Sequence, residues 1–188
     1  ESVTFHMDTT AGSAPVPQVT TKTGELVNAA QKHGFTFGIV MGSNDMMDDA
    51  YKKLLGTECN SVSFGNEMKA YSLLNQAESQ KNKDGMPVMN YNTADRMVRI
   101  AIEQGTKIRG HVLVWDAYMC DWFFREGYTN DGAYVDRKTM LKRLEYYIEE
   151  VMTYFEEKYP GVVYCWDVVN EAVGEGAGEF AYSDKRRV

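Results

Sequence analysis

The sequence predicts an α/β fold built around a parallel sheet. Short apolar segments alternate with helix-like segments along the 188-residue chain, and polar side chains such as Asn66 and Glu171 come directly after the apolar segments. Alternation of strands and helices is typical of βαβ units, whose strands run parallel. Catalytic and binding groups of such folds lie at the carboxyl ends of the strands. We therefore expect the functional side chains at that edge of the sheet.

The chain repeats the strand–helix pattern four times after a segment rich in Thr, Ser, Ala and Pro, residues 1–22, which we predict to be a linker or a peripheral segment. The predicted strands are residues 35–41, 60–64, 107–115 and 162–169. The predicted helices are residues 23–34, 43 or 44 to 55, 93–104 (starting on a cap made by Thr93 and Asp95) and 137–158, with a long polar loop before the third helix. A closed (β/α) barrel needs eight such units and ~250 residues. The chain is therefore either a smaller open sheet or the first half of a larger fold.

Charge and composition exclude several classes of partner. A net charge of −7 and an isoelectric point near 5.0 argue against nucleic acid or an anionic membrane as the partner, because both require a basic protein surface. The sequence has no run of ~18 apolar residues and therefore predicts no transmembrane helix. Cys59, Cys120 and Cys165 are scattered and form no CxxC pair, so we predict small buried residues rather than a disulfide framework or a zinc site. The 12% aromatic content is compatible with a neutral, flat ligand such as a sugar.

Glu171 is the strongest candidate for a catalytic group on physical grounds. It ends the segment YCWDVVNE, in which Trp166, Val168 and Val169 are its apolar neighbours. A carboxyl group in such surroundings should be partly desolvated, which favours its protonated form and suits a general acid. The alternative is a carboxylate that caps the next helix. A metal ligand is less favoured, because His111 is the only histidine among the predicted strands.

His111 lies within the third predicted strand, in the segment GHVLVW. A lone histidine in a strand is more often a hydrogen-bonded core residue than a functional one. Strand alternation predicts His111, Leu113 and Trp115 on one face and Val112 and Val114 on the other. If the first face is the inside of a barrel, the imidazole and the indole ring would lie over a ligand.

These motifs together resemble the N-terminal half of a glycoside hydrolase family 10 endo-β-1,4-xylanase, an eight-stranded (β/α)8 TIM barrel of which this chain would supply roughly strands 1–4. The similarity extends from about residue 26 to residue 174, and we assign residues 23–188 to this half of the catalytic barrel. The segments that carry the resemblance are WDVVNEAV at 166–173, GHVLVW at 110–115, NEMK at 66–69 after NSVSF, and MNYNTADRMV at 89–98.

The resemblance implies a role for each matching residue. Glu171 would be the general acid/base of a retaining xylanase, which needs no cofactor and no metal, and Asn170 would bind the 2-hydroxyl of the sugar that is cleaved. The residues implied to line the substrate cleft or to support it are Asn66 and Lys69 (sugars on the non-reducing side), His111 and Trp115 (the cleavage subsite) and Asp167 (support from below). Tyr118, where the family commonly has Gln, would bind substrate through its hydroxyl group or its ring face.

The sequence also departs from the family pattern. Gly65 stands where the family usually has Glu, and Asp116-Ala117-Tyr118 stands where it commonly has His-Ser-Gln, which alters the expected sugar contacts. Retaining hydrolysis needs a second carboxylate as nucleophile, and the family places it on the seventh strand. We therefore expect this chain to be the N-terminal part of a longer polypeptide, cut or interrupted within the basic segment 183–188.

The expected partners are xylan or xylo-oligosaccharides and the C-terminal half of the same barrel, and the resemblance implies a secreted or cell-surface protein. Two alternatives stay open: a non-catalytic xylan-binding half-barrel, which could pair with a copy of itself, and another barrel glycosidase of the same clan. A half-barrel alone would leave open sheet edges, which soluble proteins avoid. The second alternative is disfavoured by GHVLVW and NEMK.

Overall fold

The computed structural model describes residues 22–172, and the segments 1–21 and 173–188 lie outside the described residues. The described chain forms four strands: β1 (Gly38–Met41), β2 (Ser61–Phe64), β3 (Lys107–Gly110) and β4 (Val163–Trp166). The helices are α1 (Glu25–Lys32), α2 (Asp49–Glu58), α3 (Ala70–Leu73), α4 (Gln76–Lys81), α5 (Asn92–Glu103) and α6 (Arg137–Lys158). Short 3-10 turns precede α2 and occupy the connection between β3 and α6.

The four strands pair in the order β1-β2-β3-β4, and every pair is parallel. This order, with helices in the connections, is that of a partial (β/α) barrel, so the predicted fold class is confirmed. The predicted linker includes Lys22, which is buried and donates hydrogen bonds to the carbonyl oxygens of Gly56 and Gln104 at the ends of α2 and α5.

The hydrophobic core lies between the outer face of the sheet and the helices. Val62 on β2 and Ile108 on β3 are fully buried there. The helical residues that enclose them include Met97, Val98 and Ala101 of α5 and Tyr147, Val151 and Phe155 of α6. Asp95, predicted to cap α5, is instead buried between the helices. Its carboxylate accepts hydrogen bonds from the side chains of Tyr154, Lys158 and Tyr159, so it ties α5 to α6 rather than to its own first turn.

The predicted helix from 43 or 44 to 55 is wrong at its start. Asp48 has an extended backbone, and its carboxylate accepts hydrogen bonds from the amides of Ala50 and Tyr51, so the α-helix begins at Asp49. The preceding residues form a 3-10 turn held by the carboxylate of Asp45, which accepts from the amide of Gly42 at 2.8 Å. The predicted long polar loop after β2 likewise contains two short helices, α3 and α4.

The third strand ends at Gly110 rather than at residue 115. The register with β4 shifts after Ile108, and Val112 and Leu113 are both buried, so the predicted alternation of faces does not continue past the strand. The His111–Val112 peptide bond is cis. His111 therefore lies just beyond the strand, not within it.

The structure corrects the interpretation of one of the cysteines. Cys59 is buried as predicted and Cys120 is partly buried, but Cys165 is exposed, because it lies on β4 at the edge of the described sheet. All three thiols are free. Among the helices of the described part of the chain, none combines the length and the apolar character required to cross a membrane.

Candidate active site

The predicted site residues come from three separate strand ends and meet at the carboxyl edge of the sheet. Asn66 and Lys69 follow β2; His111, Trp115 and Tyr118 follow β3; Asp167, Asn170 and Glu171 follow β4. Because the three strands are parallel neighbours, their carboxyl ends lie side by side.

Gly110 allows β3 and β4 to approach closely at the base of the site. A Cβ atom at this position would collide with the indole ring of Trp166, which occupies the space beside the glycine. The chain continues past the two strands with hydrogen bonds from the amide of Leu113 to the carbonyl of Asp167 (3.1 Å) and from the amide of Asn170 to the carbonyl of Val114 (2.9 Å). These bonds fix the backbone that carries the proposed catalytic residues.

Asp167 pairs with two basic side chains at the base of the site, next to the ends of β3 and β4. Its Oδ1 accepts hydrogen bonds from Nε and Nη2 of Arg109, at 2.9 and 2.7 Å, and its Oδ2 lies 2.9 Å from Nδ1 of His111. Burial alone would raise the pKa of Asp167, but the hydrogen bonds from Arg109 and His111 outweigh burial and hold that pKa below its ordinary value. An ionised carboxylate can only accept, so Nδ1 of His111 carries the proton and Nε2 is the ring nitrogen left for other partners.

Glu171 is held by the indole of Trp115. Nε1 of Trp115 donates a hydrogen bond to Oε2 of Glu171 at 2.8 Å. Glu171 has a positive φ of 50°, in the left-handed region of the backbone, within the bend after β4. Asn170, one residue earlier, lines a concavity of ≈ 300 Å³ together with His111 and Asp167. Asn170 thus lies beside a space at the carboxyl edge of the sheet, and Glu171 directly follows it in the chain.

The predicted burial of Glu171 is wrong for the described residues. Glu171 is exposed, as are Val168 (58%) and Val169 (55%), which the sequence predicted to desolvate it. The reason is that β4 is an edge strand of the described sheet, so within residues 22–172 nothing packs against its far side. Trp166 is directed to Gly110, and the indole that contacts Glu171 belongs to Trp115.

Lys69 occupies the other end of the site. Its Nζ donates to Oδ1 of Asn66 at 3.0 Å and lies over the rings of Tyr118 and Trp115, 4.0 and 5.0 Å from their centroids. Lys69 is 6% exposed, and this burial lowers the pKa of its ammonium group. Two aromatic faces and an amide therefore fix a cation at the edge of the cleft.

Two residues to which the sequence analysis gave no role belong to the same region. Glu67 is buried, and its carboxylate accepts from the amides of Ser43 (2.8 Å) and Asn66 (3.0 Å), which joins the turns after β1 and β2. Tyr71 packs its ring against Tyr118 with 5.6 Å between centroids. The one sequence signal that could have identified Glu67 and Tyr71 is their position, since each lies within seven residues of the end of β2. No group of three or more His, Cys, Asp and Glu side chains within residues 22–172 is arranged to hold a metal ion.

Comparison with known proteins gives a consistent set of relatives. Residues 25–187 match the model of the family described as glycosyl hydrolase family 10. The chain is 35% identical over 146 residues to endo-1,4-β-xylanase B of Butyrivibrio fibrisolvens and 34% identical over 167 residues to endo-1,4-β-xylanase A of Thermotoga maritima. These alignments cover 76% and 89% of this chain but 23% and 15% of the two relatives, so the chain spans less than a quarter of either length.

Solved structures agree with the sequence relatives. One of them is the N-terminal endo-1,4-β-D-xylanase 10B of Clostridium thermocellum, solved as its CBM22-1 and GH10 modules in complex with xylohexaose. It superposes on this chain with a TM-score of 0.70 at 30% identity, and the match covers 76% of this chain and 27% of that one. An intracellular xylanase of Thermoanaerobacterium saccharolyticum, solved with xylotetraose, gives a TM-score of 0.65 at 28% identity over 84% of this chain and 45% of that one.

Proposed function

The chain belongs to glycosyl hydrolase family 10, and we propose that it is the N-terminal part of a retaining endo-β-1,4-xylanase in which Glu171 is the general acid/base. The observation that carries this proposal is the hydrogen bond from Trp115 to Glu171, because the same indole lies beside the buried ammonium group of Lys69. Family membership removes the alternative of another barrel glycosidase of the same clan.

The proposed reaction assigns one task to each group. Glu171 gives its proton to the glycosidic oxygen as the bond to the anomeric carbon breaks, and later takes a proton from the water that attacks the glycosyl-enzyme intermediate. Asn170 and Nε2 of His111 hydrogen-bond the hydroxyl groups of the sugar at the cleavage point. Lys69 and Asn66 bind the next sugar on the non-reducing side.

The nucleophile is proposed to come from outside the described residues. Glu67 and Asp167 are two other carboxylates near the site residues, and both are engaged, Glu67 by the amides of Ser43 and Asn66 and Asp167 by Arg109 and His111. Retaining hydrolysis requires the two carboxyl groups ~5 to 5.5 Å apart. We therefore assign the second carboxylate to the C-terminal half of the barrel.

The exposed edge of β4 is a further argument that the C-terminal half of the barrel packs against this chain. Tyr164, Cys165, Val168 and Val169 are exposed there, and a concavity of ≈ 390 Å³ lies between β4 and α6, beside Met152. Exposed apolar strand edges are normally covered in soluble proteins. We propose that strand 5 and the following helices of the C-terminal half cover this face. The non-catalytic alternative, in which a second copy covers it, predicts a dimer that binds xylan without cleaving it.

The decisive experiment compares Glu171→Gln with the unmodified protein in the hydrolysis of xylan, followed by the release of reducing ends. Loss of the general acid should lower the rate about 10²- to 10⁴-fold. Glu103→Gln, on the exposed face of α5, is the matched control and should keep full activity. An aryl xyloside with an acidic phenol leaving group needs no protonation, so its bond cleavage should be impaired much less. Equal loss of kcat/KM, which reports the bond-cleavage step, on both substrates would contradict the acid/base role.

Secretion or attachment to the cell surface stays a prediction from the family resemblance. One of the structural relatives is an intracellular xylanase, so family membership is compatible with either location. Xylanase activity measured separately in the culture medium and in the cell extract distinguishes the two.

A further inference from the structure

We infer that Tyr71 is a sugar-binding platform for a third xylosyl unit, on the side of Lys69 that lies away from Glu171. This inference rests on the proposed function, because it assumes that xylan occupies the cleft.

Local structure turns Tyr71 outward. It lies in the short helix α3, whose other apolar residues Ala70 and Leu73 are 3% and 1% exposed, whereas Tyr71 is 43% exposed. Residues three apart share a helix face, so burial of Ala70 and Leu73 leaves Tyr71 on the opposite side. Lys69 directly precedes the helix with an extended backbone, and its ammonium group lies over Tyr118, the ring that Tyr71 contacts.

The ring of Tyr71 continues a row of aromatic side chains that begins at Glu171. Trp115 contacts Glu171, the rings of Trp115 and Tyr118 lie 4.4 Å apart, and the rings of Tyr118 and Tyr71 lie 5.6 Å apart with 36° between their planes. Tyr71 is thus three contacts removed from the proposed acid/base, and Lys69 lies over the two rings between them. A chain of linked sugars that starts at Glu171 and passes Lys69 therefore reaches Tyr71 next.

Tyr71 and Tyr118 differ in what remains available to a ligand. Lys69 Nζ lies 4.0 Å from the centroid of Tyr118, so the cation already occupies a face of that ring. Tyr71 is tilted against Tyr118 and keeps exposed ring surface. Tyr118 thus orients Tyr71, and Tyr71 presents the surface to the solvent.

The exposure of Tyr71 has a different origin from that of the β4 edge. Tyr71 lies in the connection between β2 and β3, which are the two inner strands of the described sheet. Tyr71 (43% exposed) and Tyr118 (36% exposed) are in ring contact, and a contiguous exposed aromatic surface away from an open sheet edge is typical of a binding surface.

Xylose suits such a surface. All substituents of β-1,4-linked xylopyranose are equatorial and it has no exocyclic carbon, so its C–H faces are flat and apolar and can pack on a phenol ring. A tyrosine ring is rigid, with two side-chain torsions, so little entropy is lost when a sugar orders it.

The test uses nitrophenyl β-xylobioside and nitrophenyl β-xylotrioside with the whole polypeptide that carries this chain. In both substrates the aryl group marks the cleavage point, so the trioside differs by a single xylose on the non-reducing side. For Tyr71→Ala we expect kcat/KM on the bioside to be unchanged, and the gain from the third xylose to fall about threefold to tenfold. Tyr71→Phe keeps the ring face and should keep the gain. Tyr134→Ala, which removes another exposed tyrosine from the loop after β3, is the control and should also keep it.

Each other outcome overturns the inference in a distinguishable way. An unchanged gain in Tyr71→Ala means that the third sugar does not contact the ring, and the proposed function stands without it. An equal loss on both substrates, or a lost gain in a folded Tyr71→Phe, means that Tyr71 positions its neighbours or acts through its hydroxyl group. If the unmodified polypeptide hydrolyses neither substrate, the proposed function fails and the platform fails with it.

Discussion

Strands β2 and β4 carry opposite ends of the same site, and they differ in how the described chain encloses them. β2 has a neighbour on each side, and its residues Val62 and Phe64 are fully buried. β4 pairs with β3 alone among the described strands, and Val168 just after it is 58% exposed. The same contrast holds for the functional groups, since Lys69 after β2 is buried and Glu171 after β4 is exposed. Residues 22–172 thus enclose the proposed sugar-binding end of the site but not its proposed catalytic end.

A pair of identical substitutions measures this contrast most directly. Val62→Ala removes two methyl groups from a fully buried side chain, and we expect it to lower the free energy of unfolding by about 2 kcal/mol. Val168→Ala acts on an exposed side chain and should cost less than about 0.5 kcal/mol. Urea unfolding of both variants of the 188-residue chain gives the two values.

The same pair tests what covers β4. In a polypeptide that includes the C-terminal half of the barrel, the cost of Val168→Ala should rise towards that of Val62→Ala, because the valine becomes buried. Equal costs in the 188-residue chain would contradict the contrast itself.

The sequence predicted the fold best where local chemistry decides it. The bounds of α6 agree with the prediction because both ends have local signals: Asp136 caps the first turn by accepting from the amide of Thr139 at 2.9 Å, and Gly161 takes a positive φ of 65° after the last turn. The start of α2 was missed because Asn44 and Asp48 are equally good cap residues by type, and only the backbone geometry selects Asp48.

Non-local packing decided the features that the sequence did not predict. Asp95 has the residue type of a helix cap, but its partners Tyr154 and Lys158 belong to α6, and residue type does not reveal them. β3 ends at Gly110, where the ring of Trp166 from β4 packs against the glycine, and sequence patterns do not reveal this contact. Motifs supplied the candidate site residues, whereas contacts such as Lys69 over Tyr118 join loops that a sequence pattern cannot pair.

The next smaller effect concerns the ion pair below the site. The pKa of Asp167 is held below its ordinary value in the folded protein, so its contribution to stability is present above the unfolded-state pKa of about 3.9 and is lost as the pH falls towards the folded-state pKa. Asp167→Asn should therefore lower the free energy of unfolding by about 1 to 2 kcal/mol at pH 7. The difference from the unmodified protein should shrink below about pH 4.

Urea unfolding at several pH values measures that difference. Asp84→Asn, at an exposed position in the loop after α4, is the control and should follow the unmodified protein throughout. A deficit of Asp167→Asn that stays constant down to pH 3 would mean that the charge of Asp167 is not what stabilises the contact with Arg109 and His111.

The smallest expected effect concerns the hydrogen bond that links the two ends of the site. Trp115→Phe keeps an aromatic ring beside Lys69 but removes the Nε1–H that donates to Glu171. A hydrogen bond to an exposed group contributes about 0.5 to 1 kcal/mol, so kcat/KM on xylan should fall only about twofold to fivefold if Glu171 keeps this exposure in the whole polypeptide. The matched control is Trp122→Phe. The ring of Trp122 packs against Tyr128 in the connection between β3 and α6, and its replacement should leave kcat/KM unchanged.

The size of the loss in Trp115→Phe also reports on the enclosure of Glu171. If the C-terminal half excludes water from the carboxyl group, the hydrogen bond acts in a lower dielectric and its removal should cost tenfold or more. A loss within fivefold in the whole polypeptide would mean that the catalytic end stays open to solvent even in the complete barrel. The contrast between β2 and β4 would then belong to the working enzyme rather than to residues 22–172 alone.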